Sequence, residues 1–218
     1  MLAKIPKSLS SWARMKKYIV ELIGTFFLVF TVGNTVIGKS DVAPLAIGLS
    51  LAVMIFAGGH ISGGHFNPAV TLGVWLRGKC DTKDVVPYIA AQIIGAVLAA
   101  LTVKFLQGTG GTAGDVKLGP AFVAELIGTF ALVWVVLNVA TTKANANNSF
   151  YGLAIGMTVT AMAFALGPIS GAAFNPAVAI GAVAMGLIKS GNLWIYLVAC
   201  PIGGLLAAQV FKTLKADD

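Results

Sequence analysis

Two tripeptides carry the residues with the clearest chemical meaning, Asn67-Pro68-Ala69 and Asn175-Pro176-Ala177. Asn is a favoured helix N-cap and Pro a favoured first helical residue, so each pair predicts the start of a helix. An amide donor beside a helix N-terminus, which carries roughly half an elementary charge of positive dipole, attracts and turns the oxygen of a small polar molecule. That is orientation, not bond breaking. Two carboxylates, Glu21 and Glu125, lie inside long apolar runs, where an ionisable residue is a functional hypothesis by default and a proton relay is one reading. His60 and His65 could sense pH, but His65 directly precedes Phe66-Asn67 and is expected to pack the loop by bonding backbone there. Cys80 and Cys200 lack metal-ligand spacing and read as packing residues. No nucleophile–base pair, metal cluster or phosphate loop can be assembled, which argues against an enzyme and calls for no cofactor.

The elements that must hold these residues are membrane helices. Of 218 residues, 57% are apolar and only 11% charged, against about one-quarter charged in soluble domains. The net charge of +7 comes from Lys and Arg at the edges of apolar runs rather than from one basic face, so nucleic acid is not expected as a partner. A helix crosses a bilayer core with about 20 apolar residues, and the runs 18–37, 85–103, 120–140 and 193–211 each fit one crossing. The runs 42–76 and 150–188, of 35 and 39 residues without Asp, Glu, Lys or Arg, are too long for one crossing and too short for two. Each holds a Gly-rich cluster followed by an Asn-Pro pair, which predicts one full span, a turn, and a half-helix over 68–77 or 176–185. Two half-helices of on the order of 15 Å, end to end, span a core of about 30 Å.

The chain also repeats itself. Val20-Glu21-Leu22-Ile23-Gly24-Thr25-Phe26 is matched by Ala124-Glu125-Leu126-Ile127-Gly128-Thr129-Phe130, and Phe66-Asn67-Pro68-Ala69-Val70 by Phe174-Asn175-Pro176-Ala177-Val178. Three spans per copy turn the second copy upside down, and paired short segments in an inverted repeat point to a permeation site. We expect an N-terminal segment 1–17, a first repeat 18–106, an outer connecting loop 107–118, a second repeat 119–212 and a tail 213–218. The basic stretch before the first span superficially resembles a signal peptide, but Glu21 and the lack of an Ala-x-Ala-like site argue against its removal. Eleven Lys and Arg on the side of the termini against four on the other place both termini in the cytoplasm, and we expect a multi-pass protein of the plasma (inner) membrane.

The double Asn-Pro-Ala signature, each copy preceded by a Gly cluster and an opening Glu-x-x-Gly-Thr-Phe helix, resembles the aquaporin (major intrinsic protein) family over about 18–211. The resemblance implies an all-α membrane fold of six spans and two re-entrant half-helices in an inverted 3+3 repeat, with one pore per subunit in a homotetramer. It implies that Glu21 and Glu125 hold the re-entrant loops by accepting backbone N–H bonds. It maps the narrowest constriction to Ile47, Ala163, Ala172 and Val178. The family commonly has Arg where this chain has Val178, and Ala163 replaces a bulky His, so the expected filter is wide and apolar. Some plant vacuolar-membrane aquaporins also have Val there. The implied function is passive passage of water and small uncharged solutes such as ammonia, urea, glycerol or hydrogen peroxide. Glycerol is not the default, because Ala179-Ile180-Gly181 lacks the Asp typical of glycerol facilitators. A secondary transporter or a structural membrane protein is the alternative; the first lacks ionisable groups in its spans beyond the two Glu.

Overall fold

The computed structural model describes residues 7–108 and 110–214, and among them finds eight α-helices and no strand. They are α1 (Lys7–Ile37), α2 (Ala43–Ser62), α3 (Pro68–Leu76), α4 (Thr82–Gln107), α5 (Leu118–Thr141), α6 (Tyr151–Ser170), α7 (Pro176–Ala184) and α8 (Leu193–Leu214). Six are long and apolar enough to cross a membrane, while α3 and α7 have nine residues each. Large apolar side chains such as Phe105 and Val86 stand 84% and 74% exposed on the outer surface. That pattern suits lipid, because a helix apolar all round is a membrane or core helix.

The half-helices end where their caps put them. α3 stops at Leu76 with Arg77 as its cap and α7 at Ala184 with Met185, within a residue of the sequence expectation. The first helix departs from it. α1 runs unbroken from Lys7 through residues expected as a separate segment, because no Gly or Pro interrupts 8–23 and Lys17 lies 3.6 Å from the Asp84 carboxylate at the start of α4. At 1.5 Å per residue α1 is about 46 Å long, more than a bilayer core needs. Residues 1–6 and 215–218 lie outside the described residues.

The two halves pack alike. α1 lies on α4 and α2 as α5 lies on α8 and α6, α2 crosses α6 at the centre, and each half-helix packs against the last helix of the other repeat, α3 on α8 and α7 on α4. Small residues allow this. A Cβ on Gly95 would stand 2.4 Å from the Leu22 carbonyl oxygen, and one on Gly203 2.4 Å from that of Leu126, the close backbone approach that replaces hydrophobic drive between membrane helices.

The re-entrant loops rest on two further glycines. The Phe66 ring lies on Gly24 and the Phe174 ring on Gly128, where an added Cβ would come within 2.2 and 2.1 Å of ring carbons. Gly128→Ala is therefore expected to destabilise the protein by at least about 1–3 kcal/mol, the usual penalty of overpacking. Thermal unfolding in detergent reads this as a lowered midpoint, and an unchanged midpoint would show that the Phe174 ring is free to move aside.

Candidate functional site

Helix α2 ends at Gly63, in the left-handed region at φ 92°, and α6 ends the same way at Gly171, φ 86°. The chain then turns back toward the middle of the bundle. Phe66 and Phe174 hold φ of 48° and 47°, uncommon for bulky residues, and the next residues, Asn67 and Asn175, are extended at φ −160° and −159°. Such backbone persists only where its surroundings over-determine it.

Three sets of bonds do so. Each Asn caps its own helix, Asn67 Oδ1 accepting from Ala69 N at 2.8 Å and Asn175 Oδ1 from Ala177 N at 2.9 Å. Each amide also donates to the opposite loop, Asn67 Nδ2 to the Phe174 carbonyl and Asn175 Nδ2 to the Phe66 carbonyl, both at 2.9 Å. One hydrogen of each amide is thereby fixed across the repeat interface and a second remains. Behind the loops sit the buried carboxylates. Glu21 accepts from Ser62 Oγ (2.7 Å), His65 N (2.9 Å), Phe66 N (2.6 Å) and Gln92 Nε2 (2.8 Å). Glu125 accepts from Ser170 Oγ (2.6 Å), Ala173 N (3.0 Å), Phe174 N (2.6 Å) and the Cys200 thiol (3.5 Å).

The space between the loops is small. Asn67 and Asn175 together line a central cavity of about 20 Å³, walled otherwise mainly by apolar residues such as Leu51, Ile155 and Val159, which is room for about one water. Toward one side lies a cavity of about 270 Å³ that brings Ile47, Ala163, Ala172 and Val178 together. No charged or hydroxyl-bearing side chain lines it. Toward the side of the termini lie a vestibule of about 490 Å³ and a polar recess of about 430 Å³ sharing walls with it. Cys80 lines the recess half-buried, and burial raises its pKa to about 11, so it stays a neutral thiol.

A paired amide constriction between an apolar and a polar vestibule, built twice by one repeat, is a pore architecture. The Major intrinsic protein family profile matches residues 8–211.

The chain belongs to the major intrinsic protein family.

It is similar to Glycerol uptake facilitator protein-like 6 of Lactiplantibacillus plantarum, 39% identical with 94% of this chain and 100% of that protein aligned. It is also similar to Aquaporin AqpM of Methanothermobacter thermautotrophicus, 34% identical over 93% of this chain and 98% of that one. Among solved structures, the aquaglyceroporin from Plasmodium falciparum superposes with a TM-score of 0.80 at 25% identity, covering 92% of this chain and 96% of that chain.

In this major intrinsic protein, two expectations about individual side chains need correction. The His65 imidazole meets a side chain rather than backbone: its Nδ1 lies 3.2 Å from Thr71 Oγ1, while the His65 backbone N–H donates to Glu21. Cys200 does more than pack, since its thiol faces the Glu125 carboxylate. Ser62 and Ser170, the last residues of α2 and α6, each donate to a Glu and accept from the backbone two residues on. Gln92, Tyr88, Tyr196 and Thr71 were missed altogether. Tyr88 and Tyr196 donate to the Ser62 and Ser170 carbonyls at 2.6 and 2.5 Å, and Gln92 bridges Glu21 to Thr71. A signal existed, because Tyr88-x-x-x-Gln92 and Tyr196-x-x-x-Cys200 stand at the same separation as Asn67 and Asn175.

Proposed function

We propose that this chain is a passive channel for water and small uncharged solutes, ammonia, urea, glycerol and hydrogen peroxide being the candidates, and that it carries out no chemical step. The observation that carries the reading is the crossed pair of amides. With Nδ2 of each Asn bonded to the other loop's carbonyl at 2.9 Å, the remaining N–H of each has a fixed direction, and both residues line the central cavity. A passing water gives its oxygen to these donors and turns its hydrogens away, which breaks a chain of water-to-water hydrogen bonds and with it proton conduction. The two half-helix N-termini add positive potential at the same point.

Glu21 and Glu125 act in this reading as loop supports, not as a relay. Each spends both oxygens on fixed donors. Ile47, Ala163, Ala172 and Val178 form the filter, whose apolar wall gives a solute larger than water room to pass. We further infer cytoplasmic termini, from the Lys and Arg asymmetry, two inverted repeats over about 18–106 and 119–212, and a homotetramer of the family's kind.

Stopped-flow light scattering of proteoliposomes tests this. Vesicles with the protein are expected to shrink faster than empty ones in an impermeant osmolyte, and to re-swell faster with at least one of the four solutes. Water flux equal to that of empty vesicles would remove the channel reading.

A further inference from the structure

We propose that Gln92 and Thr71 lock the His65 ring in one tautomer, Nδ1–H, so that a bare Nε2 accepts a hydrogen bond from solute on the terminal side of the paired asparagines. The inference rests on the channel reading above. His65 lines both the central cavity and the polar recess on the side of the termini, so its ring stands beside the path that the two amides define.

Glu21 sets the order of protons behind it. Its Oε2 already accepts from Phe66 N (2.6 Å), so the Gln92 atom at 2.8 Å has to be the donor Nε2. The other hydrogen of that amide goes to Thr71 Oγ1 at 3.0 Å. Thr71 then has one proton of its own and two neighbours to give it to, the Asn67 carbonyl at 3.0 Å and His65 Nδ1 at 3.2 Å. Given to the second lone pair of that carbonyl, whose first takes Thr71 N at 2.9 Å, it leaves Oγ1 free to accept from an Nδ1–H, and every contact is paired. Given to Nδ1, it would leave two buried oxygens facing each other at 3.0 Å with no hydrogen between them, which forfeits a buried hydrogen bond. A neutral imidazole carries one N–H. With that hydrogen on Nδ1, Nε2 is an acceptor.

Among the described residues nothing bonds Nε2. It looks past the bare Cα of Gly63, where an added Cβ would stand 3.2 Å away, and Gly63 lines both the recess and the vestibule. The acceptor belongs to one repeat alone. At the separation of Asn67 from Asn175, the second repeat has Ala173 for His65, Ala179 for Thr71 and Cys200 for Gln92. A molecule that gives its oxygen to the two amides and turns a hydrogen toward the termini therefore meets Nε2 there, with no imidazole at the matching place on the other side. The solutes this favours are small neutral molecules that carry an O–H or N–H to give.

Nitrogen-15 NMR of the protein in vesicles, with the ring nitrogens assigned through their carbons, tests the lock. The chain has two histidines, so His60→Gln leaves His65 as the only imidazole signal. At about pH 8, above the ordinary imidazole pKa of about 6.5, the nitrogen bearing hydrogen is expected to be Nδ1. A spectrum dominated by Nε2–H overturns the inference, whatever the vesicles conduct. Thr71→Val removes the acceptor of Nδ1–H and Thr71→Ser keeps it. The Val variant is expected to gain Nε2–H signal and to lose about two- to tenfold in water flux, the factor one hydrogen bond is worth, while the Ser variant keeps the parent's tautomer and a flux within about twofold. Parental flux in a Val variant that has gained Nε2–H overturns the role of Nε2 in passage. Should the Val variant not fold, the parent spectrum still decides the tautomer. A parent with Nδ1–H whose vesicles move water no faster than empty ones overturns the channel reading, and the role in passage with it.

Discussion

Glu21→Ala is expected to be among the most damaging single substitutions outside the pore lining, removing at least about 3 kcal/mol of stability and abolishing water flux. The carboxylate is fully buried and accepts from four donors, two of them backbone N–H groups of the re-entrant loop. An alanine leaves those donors buried without an acceptor, at about 1–3 kcal/mol each before relaxation. The loop then has less reason to hold Phe66 at φ 48°, and the Phe66 carbonyl is the acceptor that fixes Asn175. Damage in the first loop therefore reaches the amide of the second. Glu21→Gln is not conservative either, because one of its two terminal atoms becomes a donor facing Phe66 N or His65 N. Thermal unfolding in detergent together with vesicle water flux should rank the parent above Gln and Gln above Ala. A Gln variant as stable and as permeable as the parent would show that the loop does not depend on a two-oxygen acceptor.

The parts of this architecture that were legible in the sequence are those with a local cause. The half-helices follow from Asn-Pro, which caps and starts a helix within two residues, and the full spans follow from apolar length. The start of α1 was misread because the change from basic to apolar composition near Tyr18 suggests a boundary, whereas a helix ends only where backbone chemistry ends it. Gln92 and Cys200 escaped for a different reason. Each occupies the same place behind its loop and each donates to the carboxylate of its own repeat, but an amide and a thiol look unrelated in sequence. The crossed bonds from Asn67 to Phe174 and from Asn175 to Phe66 could not be read at all, since they depend on how the two inverted halves dock. The four filter positions come from family resemblance, carried onto this chain by spacing from Asn67 and Asn175; the fold brings them to one cavity, and their role there is a proposal.

Val178→Arg should separate the passage of water from that of larger solutes. Val178 directly follows the second Asn-Pro-Ala and sits 6% exposed at the wall of the apolar cavity, with Ala163 at 9%. The cavity holds about 270 Å³ without a polar side chain, so a urea or glycerol molecule crossing it is limited by width and by the hydrogen bonds it gives up to bulk water. An arginine there fills part of that width and brings five fixed N–H donors and a permanent charge. Water, small enough to pass beside the guanidinium and able to bond it, should lose little. Solutes that now meet a steric wall should slow by on the order of tenfold or more, a barrier increase of ~1.4 kcal/mol. The same vesicles report both fluxes, which makes the pattern diagnostic. Loss of solute flux with retained water flux places the limiting width at Val178. Parallel loss of both means that the arginine plugs or distorts the loop. Unchanged solute flux would move the limit elsewhere, the much smaller central cavity of about 20 Å³ between the two asparagines being the place to look, and would make the amides rather than the apolar ring the determinant of what this channel passes.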